Sequence, residues 1–182
     1  VPATYMTYSL YTDPLTAGTT LTLVGYGATG DGVSGYYGAA AGRRVGKNNA
    51  DGFLNPGGNS YATTYAPGDQ TYLFDFDSPD GLFGYLGGPS LGNDVETTIG
   101  TGDSGGPGFV EVGGVYEIAA INNFTIQFGT APNLGPAAGF FGSGGGGAIV
   151  SAYQGFVASA VAPEPSAWEL LALGALGLAG CA

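Results

Sequence analysis

The chain has 182 residues with 37 glycines, 44% hydrophobic residues and 9% charged ones, and its formal net charge is −11. That length suits one domain with a sizeable core or two small ones, and ample apolar residues with few charges exclude intrinsic disorder. Arg43, Arg44 and Lys47 are the only cations, so there is no basic footprint for nucleic acid and no attraction to an anionic membrane surface. One cysteine, Cys181, excludes an intrachain disulfide, and with no histidine a zinc site has almost no ligands. No metal and no cofactor are expected.

Short apolar runs between glycine-rich turns point to an all-β domain. Thr19-Thr-Leu-Thr-Leu-Val-Gly-Tyr26 alternates and is rich in β-branched residues, which predicts a strand. Gly30–Gly42 reads as a loop with at most one short extended piece, and Arg43–Asn49 as the start of another strand. Gly52–Gly68 is heavy in Asn, Gly, Pro and Ser and reads as a surface loop. Gln70–Phe76 is a strand, closed by the turn sequence Ser78-Pro-Asp-Gly81. Asp75, Asp77 and Asp80 are spaced carboxylates that suggest calcium, but the full loop pattern with its late bidentate Glu is missing, so a strand end with a turn is the better reading. Gly108–Val112 and Val115–Ile121, joined through Gly113-Gly114, form a hairpin, and Phe124–Phe128 is a further strand. Gly142–Gly147 is a glycine run, and Ala148–Val157 reads as a last strand turning into a helix. About six strands with no helical period before residue 150 suggest one antiparallel barrel.

From Val161 the composition changes. Pro163-Glu164-Pro165 blocks regular structure, and Leu170–Ala182 is wholly apolar or small. Such a run falls short of the roughly 20 residues that span a bilayer. It is either a buried helix or a membrane segment cut short. The triplet followed by Trp168 and a Leu/Ala/Gly stretch resembles the PEP-CTERM sorting signal of Gram-negative bacteria, without that signal's closing basic cluster. The resemblance implies export, recognition by an exosortase at the inner membrane, and a destination at the cell surface or in exopolysaccharide. With no export signal at Val1 and no basic cluster at Ala182, a fragment is expected. The expected division is 1–160 for the β domain and 161–182 for the sorting segment.

Residues 102–107 read Gly102-Asp103-Ser104-Gly105-Gly106-Pro107. This string resembles the nucleophile loop of trypsin-like (chymotrypsin-fold) serine proteases. Leu23–Gly30 looks like the Val-Gly-Trp/Tyr-Gly segment that opens that family's second barrel, and Glu117–Asn122 like the strand on which the peptide substrate pairs. The resemblance covers roughly residues 10–157. It implies the second Greek-key β-barrel of the fold, followed by a C-terminal apolar helix.

The roles that follow are carried over from the family. Ser104 is the nucleophile, and the backbone N–H groups of Gly102 and Ser104 form the oxyanion hole. Asp103, Gly105, Gly106 and Pro107 shape the loop; Asp103 is the residue that in the family pairs with the ammonium freed from a propeptide, not the triad acid. Thr98, six positions before the serine, and Asn122 belong to the specificity pocket. Thr98 argues against strict Arg/Lys preference, although Asp94 and Glu96 stand close by. Asn122-Asn123-Phe124 replaces the usual Ser-Trp-Gly.

The serine needs a base, yet the chain has no histidine, and Asp13, Asp31 and Asp51 match no triad position. The expected function is therefore an exported serine endopeptidase acting on peptide or protein substrates, present here without its histidine and aspartate and inactive as such. A surface-anchored pseudoprotease or binding module, and a structural protein of the biofilm matrix, remain alternatives.

Overall fold

The computed structural model describes residues 7–39, 42–57, 61–130 and 133–161. The sorting triplet Pro163, Glu164 and Pro165 and the apolar run beyond it lie outside the described residues. By its internal contacts the chain divides into two compact units, 1–152 and 153–182. In the second, the described element is one short helix, α1 (Gln154–Ala160). Among the described residues no helix is long and apolar enough to cross a membrane.

The first unit is antiparallel β throughout its sheets. In chain order its strands are β1 (Thr19–Gly25), β2 (Thr29–Asp31), β3 (Gly35–Gly38), β4 (Arg44–Ala50), β5 (Gly52–Leu54), β6 (Tyr61–Ala62), β7 (Thr71–Asp75), β8 (Pro107–Val112), β9 (Val115–Gln127), β10 (Gly129–Thr130), β11 (Asn133–Leu134) and β12 (Ser143–Ile149). Eight of them form one sheet in the order β4-β1-β8-β9-β12-β7-β5-β6, while β2-β3 and β10-β11 are separate two-stranded ribbons. The alternation in β1 does what the sequence predicts: Leu21 and Leu23 are buried, and they join Leu15, Ala50, Phe53, Tyr72, Phe74, Ile99, Ala120 and Ile149 in one core.

One run of chain reaches both sides of this sheet. β4 pairs with β1 along its whole length, Thr19 opposite Ala50 and Gly25 opposite Arg44. After the single residue Asp51 the same run continues as β5, which pairs with β7. Buried Asn48 on β4 donates from Nδ2 to the carbonyl of Asp75 at the end of β7 and to that of Thr97, both at 2.8 Å. The expectation of a surface loop from Gly52 is therefore corrected at its start, because Gly52 and Phe53 are buried strand.

Two further readings change. Val115–Ile121 and Phe124–Phe128 are not separate strands but the single strand β9. Its partner β12 shifts register between Gly146 and Gly147, which face Phe124 and Asn122, so Asn123 is the extra residue of a bulge. The two asparagines look like a break in sequence because a bulge interrupts alternation without ending the pairing. The glycine run is itself a strand, Ser143–Ile149, after which the chain turns through a 3-10 segment, Val150–Tyr153. The predicted hairpin does form, with Gly113 and Gly114 at φ +59° and +84°, the left-handed pair that a two-residue hairpin demands.

Glycine weakens a strand interior by its backbone entropy, so four in a row need a reason. β12 lies between β7 and β9, and its neighbours leave no room. A Cβ at Gly146 would lie 2.3 Å from the Tyr72 carbonyl oxygen, and one at Gly147 would lie 1.9 Å from that of Ile121. We predict that Gly147→Ala lowers stability by about 3 kcal/mol or more in urea unfolding, while Gly42→Ala, where a Cβ meets nothing within 4 Å, changes it by less than about 0.5 kcal/mol. Equal midpoints for the two variants would contradict this packing.

Candidate functional site

The Gly-Asp-Ser-Gly-Gly-Pro string forms a double turn leading into β8. Asp103 N–H donates to the Gly100 carbonyl at 3.0 Å and Gly106 N–H to the Asp103 carbonyl at 2.9 Å. Gly102 and Gly105 take φ of +99° and +84°, angles that a side chain strains. The loop is stitched to β9 by Gly105 N–H donating to the Asn122 carbonyl, 2.8 Å, and Asn122 N–H to the Gly106 carbonyl, 2.9 Å.

The Asp103 carboxylate points into the fold. Its Oδ1 accepts from Gly27 N–H at 2.5 Å and its Oδ2 from Gly100 N–H at 2.8 Å. Ala28 N–H adds a bond to the Thr101 carbonyl at 2.8 Å, and the Arg44 guanidinium donates to the Gly27 carbonyl. A Cβ at Gly25 would lie 1.9 Å from Asp103 Oδ1. The Val24–Gly27 segment is thus glycine-rich because a carboxylate occupies the space beside it. In this structure Asp103 satisfies backbone donors of its own unit, where the family resemblance assigns it a freed ammonium.

Ser104 is exposed, and its Oγ donates to the carbonyl of the bulged residue Asn123 at 3.2 Å. A carbonyl accepts a hydrogen bond but cannot take the proton, so this contact orients the hydroxyl without activating it. Among the described residues nothing accepts from the N–H groups of Gly102 and Ser104, which flank the inward-turned Asp103.

Thr98 and Asn122 line one cavity, of about 460 Å³, with Asp103, Tyr36, Arg44 and Phe141, and Ser104 is not part of its wall. The two residues therefore lie on the side of the loop that Asp103 faces. Asn122 is 1% exposed; its Oδ1 accepts from the Tyr72 hydroxyl at 2.6 Å, while its Nδ2 is buried with no partner among the described residues, as is Thr98 Oγ1. Burial pushes the Tyr72 phenol far above its ordinary value, so it stays a donor to Asn122. Tyr36 donates to the Ile99 carbonyl at 2.5 Å, and burial, with the Asp103 charge, pushes its phenol up to about 12. Pro107 begins β8 and hands the loop to the sheet.

Tyr36, Tyr72 and Gly27 are the participants that sequence reasoning missed. Tyr72 carried a signal as an inward position of the predicted strand Gln70–Phe76, and Gly27 as part of the Leu23–Gly30 segment, but neither was given a role in the site. The Asp75–Asp80 segment resolves as a strand end and a turn: Gly81 N–H donates to the Ser78 carbonyl at 2.9 Å, and Asp80 accepts from Ser78 Oγ and Leu82 N–H. Among the described residues no three carboxyl or thiol groups are placed to hold a metal ion.

Scanned against models of protein families, the sequence matches none, and against curated proteins it has no significant match. The site therefore rests on its own geometry.

Asp103→Ala leaves two part-buried N–H groups without an acceptor, each worth about 1–3 kcal/mol. The expected result is a lower urea midpoint together with faster amide exchange at Gly27 and Gly100; unchanged exchange at both would show that the carboxylate does not hold the loop.

Proposed function

We propose that this chain is the nucleophile-bearing second barrel of a trypsin-like serine endopeptidase. The conformation of the 102–107 loop carries the reading. Two left-handed glycines bracket Asp103 and Ser104, the carboxylate turns inward, the hydroxyl faces solvent, and two neighbouring N–H groups are left for a ligand. The sheet order supports a barrel as well, since residues 44–54 pair with β1 at one end and with β7 at the other.

In this reading Ser104 Oγ attacks a peptide carbonyl and its proton passes to a histidine that these 182 residues do not contain. The N–H groups of Gly102 and Ser104 stabilise the oxyanion, a term in which one donor is worth about 100-fold in rate. The amine leaves with the histidine's proton, and water then hydrolyses the acyl-enzyme on Ser104. The family resemblance makes Thr98 a neutral pocket floor, while the cavity that Thr98 and Asn122 line in this structure does not border Ser104. Glu96, the nearest acidic neighbour of Thr98 in the chain that is buried, is already engaged by Asp77 N–H, Leu91 N–H and Ser90 Oγ, so an uncharged residue before the scissile bond is favoured over Arg or Lys. The Pro163-Glu164-Pro165 signal sends the protein through an exosortase to the cell surface or its exopolysaccharide.

The missing histidine favours a second reading, a pseudoprotease that uses the same surface for binding. Cleavage of internally quenched peptides by the natively produced protein separates the two. The protease reading expects turnover that falls by about 10³-fold or more in Ser104→Ala, with neutral peptides preferred to arginyl ones. It also expects none from the 182-residue chain alone. Folded native protein without turnover supports the binding module.

A further inference from the structure

A second cluster of chemistry lies where the 44–54 run passes from β1 to β7. Asp51, Asp75, Asp77 and Glu96 are all buried there, the least exposed being Asp75 at 1%. The Asp75 charge acts on the Asp51 carboxyl, and burial beside a like charge favours the protonated form. Asp77 is 8% exposed and its Oδ1 has no partner among the described residues.

The irregular segment Asp77–Leu91 lies directly on these groups. Leu86 N–H donates to Asp75 Oδ2 at 2.7 Å, Asp77 N–H to Glu96 Oε1 at 2.6 Å, and Leu91 N–H to Glu96 Oε2 at 2.6 Å. A Cβ at Gly88 would lie 2.8 Å from Asp51 Oδ1, and one at Gly84 3.0 Å from Asp77 Oδ1. The segment is glycine at the two points where it meets the carboxyls.

We propose that Asp51 and Asp77, packed around Asp75, form a proton-held latch on the 77–91 segment, closed while they are protonated and released when both are ionised. The charges acting on Asp51 are Asp75 and Asp77, and those on Asp77 are Asp75 and Glu96, so none of them is positive. Lys47 on β4 meets the cluster through its backbone, bonded to Val95 and Thr97. Asp80 is held in its own turn and Tyr85 stacks on Phe128. Burial first, then these like charges, pushes Asp51 up to about 8 and Asp77 up to about 7 from an ordinary value of 3.8. The closed form therefore holds protons that the open form gives up between about pH 4 and pH 8, and closure weakens with rising pH across that window. Below it and above it closure is independent of these groups. The latch does not depend on Ser104 being a nucleophile.

The test is amide exchange of the 182-residue chain at Leu86 and Leu91, corrected for intrinsic rate, from pH 5 to pH 9. Protection is expected to fall with pH, by up to about tenfold per pH unit for each carboxyl that stays protonated when closed. Asp51→Asn and Asp77→Asn should each flatten the profile. The side-chain carboxyl shift of Asp51, followed by NMR in the wild type, gives a reading that needs no variant. Its midpoint should lie well above the ordinary carboxyl range. Flat protection in the wild type, an unchanged slope in both variants, or a midpoint near 4 would overturn the latch.

Discussion

The Asp103 carboxylate is the interaction on which the site depends. It sits between the loop that carries Ser104 and the Val24–Gly27 segment, and it accepts one N–H from each side. Charge-assisted bonds of this kind are strong where water is partly excluded. They fix Gly100 at the start of the loop and Gly27 beyond the end of β1. The two bonds between the loop and Asn122 then fix its other end to β9. With both ends held, the left-handed angles at Gly102 and Gly105 follow, and the short span between them leaves the Ser104 side chain facing solvent. The same constraint explains why Gly25 and Gly27 are glycines: the carboxylate fills the volume that a side chain at either position needs.

Around this clamp the molecule is built by close backbone approach. β12 admits no side chains at Gly144–Gly147 because β7 and β9 press their carbonyls against it. The bulge at Asn123 places a carbonyl against Ser104 Oγ and at the same time buries the Asn122 side chain on the Tyr72 hydroxyl. The site thus has a positioned hydroxyl and unclaimed donors, but the one described partner of that hydroxyl is a carbonyl. Nucleophile and electrophile stabilisation are separable parts of catalysis, and in the proposed reading Ser104 is the first and the N–H groups of Gly102 and Ser104 are the second. The base is the part that the sequence does not contain.

Much of the fold was legible. β1, β7 and the β8–β9 hairpin follow from alternation and from Gly113-Gly114, because those strands have one face in the core and a turn of known chemistry. β12 was not legible, since a glycine run has no pattern to read and its strand form is set by neighbours distant in sequence. β5 was hidden for a similar reason: Phe53 is buried against β7 and Tyr65, not by its own neighbours in sequence. At the site, the loop and Asn122 were singled out by the family resemblance. The bond of Tyr72 to Asn122 and that of Gly27 to Asp103 were missed, because hydrogen bonds spanning 50 and 76 residues leave no local trace. The Asp75–Asp80 carboxylates read along the chain as a strand end with a turn, and that is what they form. Asp80 turns to its own loop, while the acid whose charge acts on buried Asp51 is Asp75, far off in sequence.

The central claim is that Ser104 is a nucleophile in the assembled protein. A fluorophosphonate reagent reports this directly, because it bonds to a hydroxyl whose proton a base within reach can take. The natively produced, folded protein should carry a single adduct, located on Ser104 by peptide mass spectrometry, and lose it on denaturation and in Ser104→Ala. A folded protein that stays unlabelled, or that carries the adduct on another residue, would contradict the assignment.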